Sequence, residues 1–315
     1  MCIRDSNRGG LENKGLEIGL DFTAIDKGDF NLSFGGNIAF NKSKIENLGL
    51  VPGDVLMSDG MGGYSNQQIA SYLGNVPSRG NSIKFPINIF MEGHEVALFY
   101  GWKTNGLFQE GDTMYSINGS MSQPGDIKVL DLNGDGVVDL ADRTVIGNPN
   151  PDYVYGFNVN LSYKGFSMRA LFNGVEGNEI VNGNYYRFGW AEGTYRNIVA
   201  DAWYDRWTPD NPSAAYPRLG YSANLFGALM DRVIEDGSYI RLKSITLNYD
   251  IPLSNNNFID AANVYITGSN LFTWTDYSGY DPEITSFLWD GLLQGTDWNN
   301  KPNSRSVLVG VNLNF

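Results

Sequence analysis

Along five stretches of the chain, apolar and polar residues alternate position by position. Residues 15–25 place Leu16, Ile18, Leu20, Phe22 and Ala24 on one face. Residues 30–40 group Phe30, Leu32, Phe34, Ile38 and Phe40, with Gly36 the one gap. Tyr153–Tyr163 groups Tyr155, Phe157, Val159, Leu161 and Tyr163, and residues 166–172 group Phe166, Met168, Ala170 and Phe172. Residues 307–315 group Val307, Val309, Val311, Leu313 and Phe315. None of these faces carries a charge. The opposite faces are mostly polar and include Glu17, Asp21, Asn31, Asn37, Asn158, Asn160, Arg169 and Asn173. A period of two predicts strands, with turns at residues 26–29 and at Lys164-Gly165. Residues 82–91, 94–104, 239–250 and 262–273 read as four less regular strands, the first interrupted by Pro86. The pattern thus predicts nine strands.

The gaps between them alternate in length. Residues 26–29, 92–93, 164–165 and 251–261 are the shorter connections, and residues 41–81, 105–152, 175–238 and 274–303 are long. Short turns on one side and long loops on the other is the organisation of an outer-membrane barrel, whose short turns are periplasmic. Counting back from a periplasmic Phe315 puts every long loop outside, and Glu92-Gly93-His94 at a periplasmic turn. A soluble sandwich also alternates, but its strands usually run ~5–6 residues, whereas membrane strands need ~9–11. Tyr155 and Tyr163 lie eight residues apart, roughly 26 Å along a strand, or about 20 Å once tilted, close to the apolar band between aromatic girdles.

Composition narrows the classes. Aromatic residues make up 13% of the 315 residues, glycine numbers 38, and charged residues are held to 18%, a balance suited to a wall with lipid on one side and water on the other. The net charge of −13 argues against nucleic acid, whose binders carry basic patches. No apolar run is long enough for a transmembrane helix. Cys2 is the one cysteine, so no disulfide framework exists. It sits in a prefix, MCIRDS, that fits nothing downstream; residues 1–8 read as a non-native or truncated scar, and residues 9–315 as the structural unit.

The run GDIKVLDLNGDGVVDLADRTVIGNPNPDYVYGFNVNLSYKGFSMRALFNGVEGN, residues 125–178, resembles the SusC/RagA family of TonB-dependent outer-membrane transporters. ENKGLEI (12–18), ALFYGWKTNGLFQ (97–109), DRWTPDNP (205–212), EDGSYIRLKSITLNY (235–249), VYITGSNLFTWTDYSGYDPE (264–283) and the final NLNF resemble further parts of the same family, in the same order. The resemblance implies an all-β fold: the C-terminal portion, about nine antiparallel strands, of a transmembrane β-barrel of about 22 strands with long extracellular loops. It implies a Gram-negative, Bacteroidetes-type outer membrane. It also implies import of oligosaccharides or peptides together with a SusD-like surface lipoprotein, driven by the TonB complex through an N-terminal plug. That plug and the TonB-contact segment are absent from these residues, so this stretch is expected not to transport by itself. The competing reading is a soluble, calcium-stabilised β-rich binding or adhesion module, which would need its apolar strand faces packed on each other.

Two groups of residues are candidates for chemistry. Residues 131–142, DLNGDGVVDLAD, match the spacing of a calcium loop. Asp131, Asn133 and Asp135 would supply side-chain oxygens, Val137 its carbonyl, and Asp139 and Asp142 the remaining positions, with Gly136 allowing the sharp turn. Asp142 stands where glutamate is usual, and no flanking amphipathic helices are evident. The competing reading is an Asp/Gly turn whose side chains cap their own backbone. In the long loops, Trp190, Trp203, Trp207, Trp274, Tyr277 and Tyr280 could stack on a sugar ligand, or simply pack the loops. Residues 197–207 read as a helix ending before Thr208-Pro209. His94 is the one histidine, so a serine or cysteine triad lacks its base in the loops and a multi-histidine metal site is excluded. No enzymatic activity is expected.

Overall fold

The computed structural model describes residues 9–77, 83–117, 119–188, 197–220, 227–253, 258–283, 286–287, 289–298 and 300–315. The non-native reading of residues 1–8 and the candidate Trp190 therefore fall outside the described residues.

Seven strands form one antiparallel sheet in chain order: β1 (Gly10–Lys27), β2 (Phe30–Asn47), β3 (Tyr153–Tyr163), β4 (Phe166–Glu176), β5 (Tyr239–Asp250), β6 (Ala261–Thr275) and β7 (Ser306–Asn314). Directly paired residues in an antiparallel sheet share a face. The register therefore assembles the alternating residues into continuous rows. Leu32, Leu161, Met168, Leu247, Ile266 and Val309 line up across six strands, and Phe30, Tyr163, Phe166, Tyr249, Val264 and Val311 form the adjoining row. These rows are not covered by a second layer: Ile266 is 43% exposed and Val309 70% exposed. The packed-sandwich alternative fails on that observation.

The row nearest the short turns is aromatic. Phe30 meets Tyr163 at 6.1 Å between ring centres, and Phe166 meets Tyr249 at 4.3 Å. Its position matches an interfacial girdle. The β3–β4 turn is built by Lys164 and Gly165, both at positive φ (45° and 84°). That is the left-handed pair a two-residue hairpin turn requires. The other face is polar and equally continuous: Asn37, Gly156, Asn173, Arg241 and Thr273 share one row, and Ser33, Asn160, Arg169, Thr246 and Thr267 another. The outward face of β6, which the sequence pattern leaves unassigned, is set by its neighbours: Val264 and Ile266 face outward with Tyr249 and Leu247.

Seven of the nine expected strands join this wall, and two do not. The segments at 82–91 and 94–104 contain strands, but Asn88–Met91 and Leu98–Gly101 have only four residues each. They pair in a separate four-stranded sheet with Ser71–Leu73 and Thr144–Gly147. Ile89, Met91, Leu98, Phe99 and Tyr100 are all buried, so both faces are covered, and a strand of that kind reads as an unbroken apolar run. Removing two consecutive strands leaves the alternation of short turns and long excursions intact. His94, expected at a periplasmic turn, instead lies at the long-loop end, where its carbonyl accepts from the Ile45 N–H at 2.9 Å, near the far end of β2.

The outward assignment has a direct energetic test. Val159→Arg and Val309→Arg are each expected to cost ~2–4 kcal/mol at mid-membrane depth, whereas Asn158→Arg and Asn160→Arg should be close to neutral. Urea unfolding of the barrel in lipid vesicles measures both sets; equal effects on the two faces would contradict the assignment.

Candidate functional site

The three excursions that leave the wall at its long-loop end, residues 48–152, 177–238 and 276–305, share one hydrophobic core. Trp102, Phe99, Phe108, Ile127 and Val129 come from the first, Val181, Leu229, Met230 and Val233 from the second, and Leu293 and Trp298 from the third. The excursions therefore form a packed cap rather than separate mobile loops. Such burial of apolar surface is the main term that can order long connections against their chain entropy.

One ion network fastens the third excursion to the polar face of the wall. Arg241 of β5 is almost fully buried. Its Nη2 bonds Asp281 at 2.5 Å, its Nη1 bonds Glu283 at 2.6 Å, and its Nε donates to the Thr273 hydroxyl at 3.0 Å. Lys243, on the bulge next along, reaches Glu283 at 2.8 Å. Asn303 closes the strap from its other end, its N–H to Asp281 and its amide to Glu283, each at 3.0 Å. Burial works to raise the Asp281 carboxyl. The Arg241 guanidinium and the backbone N–H groups of Glu283 and Asn303 outweigh it and hold the group below its ordinary value.

A cavity of about 280 Å³ opens within the cap, lined by Asn182, Asn184, Tyr185, Asp201, Tyr216 and Tyr280, among others. Its floor is rigid. Asn182, 2% exposed, accepts from the Tyr185 N–H at 2.9 Å and donates to Glu235 at 2.8 Å and to the Ser278 hydroxyl at 3.1 Å. Glu235 in turn accepts from the Ser278 N–H and hydroxyl, both at 2.8 Å. The rings of Tyr185 and Tyr216 lie 5.8 Å apart. Burial, then the neighbouring Tyr185 and acids, push the Tyr216 hydroxyl above its ordinary value, so it stays a protonated donor. Among the described residues the lining holds one carboxylate, Asp201, and no lysine or arginine.

The five candidate aromatics within the described residues separate. Tyr280 is exposed at the cavity lip; Trp203 is exposed outside the lining, its ring against the Arg206 guanidinium at 4.3 Å. Trp207 is buried, with its indole N–H on Gln109 at 3.1 Å. Tyr277 is buried and donates to Asp297 at 2.9 Å. Trp274 is a strand residue, because β6 runs on to Thr275. It pairs with Ile240 and stacks near Phe272 on the outward face. Sequence reading missed Asn182, Asn184, Tyr185 and Tyr216; the amide-rich run VNGNYY (181–186) is the pattern that could have marked them. The helix expected at 197–207 is present only as Ala200–Tyr204.

In the Asp131–Asp142 loop the acids hold backbone. Asp131 accepts from Gly134 and Gly136 at 2.7 and 2.9 Å, Asn133 from Asp135 at 2.9 Å, Asp135 from Val137 at 2.9 Å, and Asp139 from Ala141 at 2.7 Å. Asp142, fully buried, accepts from Leu132, Asn133 and Asp139 at 2.8, 3.2 and 2.8 Å. Burial nevertheless pushes its carboxyl above the ordinary value. Among the described residues no three His, Cys, Asp or Glu side chains gather at metal-holding distance. In this loop the carboxylates thus tie down the loop's own N–H groups.

Two measurements probe these ties. Arg241→Met leaves the buried Asp281 without its cation, while Glu283 keeps Lys243, and is expected to cost about 3–5 kcal/mol, read by thermal unfolding. The depressed Asp281 carboxyl contributes stability that is complete above the unfolded-state value and is lost as pH falls through the folded one. Hydrogen exchange in residues 276–305 should therefore accelerate below about pH 4. Asp142→Ala removes three accepted bonds and should destabilise the 131–142 loop by roughly 2–4 kcal/mol, seen as local loss of exchange protection.

No protein-family profile matches the chain. Among curated proteins it is 32% identical over 315 residues to TonB-dependent receptor P26 of Formosa agariphila, covering 98% of this chain and 30% of that receptor. It is 32% identical over 319 residues to TonB-dependent receptor P3 of the same organism, covering 98% and 29%. To TonB-dependent receptor SusC of Bacteroides thetaiotaomicron it is 28% identical over 317 residues, covering 98% and 27%. Among solved structures, a chain of the RagAB peptide transporter superposes with a TM-score of 0.71 at 23% identity, over 98% of this chain and 30% of that one. The chain spans less than a third of the length of these relatives. The two-faced wall, its register and these likenesses together identify the chain as a segment of a SusC/RagA-type TonB-dependent receptor.

Proposed function

We propose that the parent receptor imports neutral oligosaccharides across the outer membrane, and that these residues supply part of its barrel wall and of its outer capture surface. The apolar rows would meet lipid, and the polar face carrying Asn37, Asn158, Asn160, Arg169 and Asn173 would line the pore. A SusD-like lipoprotein would close over the cap, and the TonB complex would act on a plug contributed by the rest of the receptor. The chemistry is recognition and gated passage, with no bond made or broken.

The cavity of Tyr185, Tyr216 and Tyr280 over the Asn182 floor carries this reading. Sugar rings offer an apolar face for stacking and hydroxyls for amide hydrogen bonds. Aromatic walls above fixed polar groups answer both. Among the described lining residues no lysine or arginine offers an acidic oligomer a counter-charge, which favours neutral glycans.

In the full-length receptor with its lipoprotein, Tyr216→Ala and Tyr280→Ala are each expected to weaken binding of a neutral oligosaccharide about tenfold, the equivalent of ~1.4 kcal/mol, by calorimetry. Unchanged glycan affinity in both variants, or weakened binding of a peptide pool instead, would overturn the choice of ligand.

A further inference from the structure

Arg143 carries a charge that the described residues do not answer. It follows Asp142 at the start of Thr144–Gly147 and is 9% exposed. Its guanidinium carbon lies 4.9 Å from the Tyr100 ring, 5.5 Å from Trp102 and 6.0 Å from Phe85. Ring faces attract the charge, but they do not replace an in-plane oxygen acceptor for the N–H fork. Nε reaches only the Leu140 carbonyl, at a long 3.4 Å, and Nη1 is buried with no acceptor. None of the ion pairs among the described residues involves Arg143. The nearest acids in sequence, Asp139 and Asp142, are committed to the backbone N–H groups of their own loop.

A guanidinium does not shed its proton in a protein, so burial cannot be relieved by neutralisation. A buried charge without an acceptor is costly, and buried polar groups are almost always partnered. We infer that Arg143 is a docking point for a carboxylate side chain belonging to the part of the parent receptor outside residues 1–315. The planar fork fits the two oxygens of a carboxylate better than any single acceptor. A permanent neighbour suits the site better than a dissociating one, because each departure would leave the buried cation bare. The relatives are more than three times as long as this chain, which covers 30% of the first of them, so most of the parent's acids lie beyond these residues. The inference rests on membership in a longer receptor and not on the ligand proposed above.

The test uses the intact receptor. In Arg143→Lys, a water-soluble carbodiimide joins an amine to a carboxylate in contact with it, forming an amide as the reagent takes up the oxygen. Peptide mapping by mass spectrometry should then find Lys at 143 coupled to an Asp or Glu outside residues 1–315. In Arg143→Met, the stranded carboxylate should lower the melting temperature by about 5 °C or more. Coupling to an acid within residues 1–315, or to a second polypeptide, would overturn the inference. So would an absence of coupling together with a Met variant that melts as high as the unmodified receptor, since apolar replacement of a truly unpaired arginine in an aromatic box is neutral or stabilising. Glycan binding that fails while the coupled peptide is recovered would count against the ligand alone.

Discussion

The backbone hydrogen-bond ladder of the seven-stranded wall is the constraint on which everything else rests. In hydrocarbon a peptide N–H or C=O finds no water, so each must be satisfied within the protein. An antiparallel meander does this locally, strand to next strand, through short turns such as Lys164-Gly165. Once the ladder fixes the register, side chains have no freedom of side. A slip of one residue would carry Leu161, Met168 and Leu247 to the wet face and Asn160, Arg169 and Thr246 to the dry one. The alternation in sequence and the pairing in space thus enforce one another.

The wall alone offers no room for a compact interior, because one face meets lipid and the other the pore. The chain's folded core is built elsewhere, from three excursions that are far apart in sequence. This arrangement accounts for the odd distribution of burial. The wall's strands carry many exposed apolar residues, six on β1 and five on β7, while the fully buried tryptophans, Trp102 and Trp298, sit in stretches with little regular structure. Arg241 is where the two parts meet: a residue of the wall's polar face whose partners, Asp281 and Glu283, belong to the cap.

Sequence reading recovered the wall well because its signal is periodic and each strand is long. It misjudged segments whose meaning is set by distant contacts. Asn88–Met91 and Leu98–Gly101 are strands, as their composition suggests, but covering on both faces removes the alternation that distinguishes a membrane strand from a core strand. Tyr277 and Trp207 look like surface aromatics of a loop; their burial depends on Asp297 and Gln109, 20 and 98 residues away. Trp274 was misplaced for a simpler reason, a strand end two residues later than the pattern showed. The spacing of the 131–142 loop alone does not separate a cation cage from a turn held by its own carboxylates.

The strands of the wall are unequal. β1 and β2 run 18 residues each, β3 and β4 run 11, and β7 runs 9. At ~3.3 Å per residue the tall pair exceeds the short one by roughly 23 Å, and their surplus lies at the long-loop end, where Lys14, Lys42, Lys44 and Glu46 replace the apolar rows. The upper edge of this wall is therefore stepped: tall at β1 and β2, low at β3 and β4, raised again at β6 with 15 residues, and low at β7.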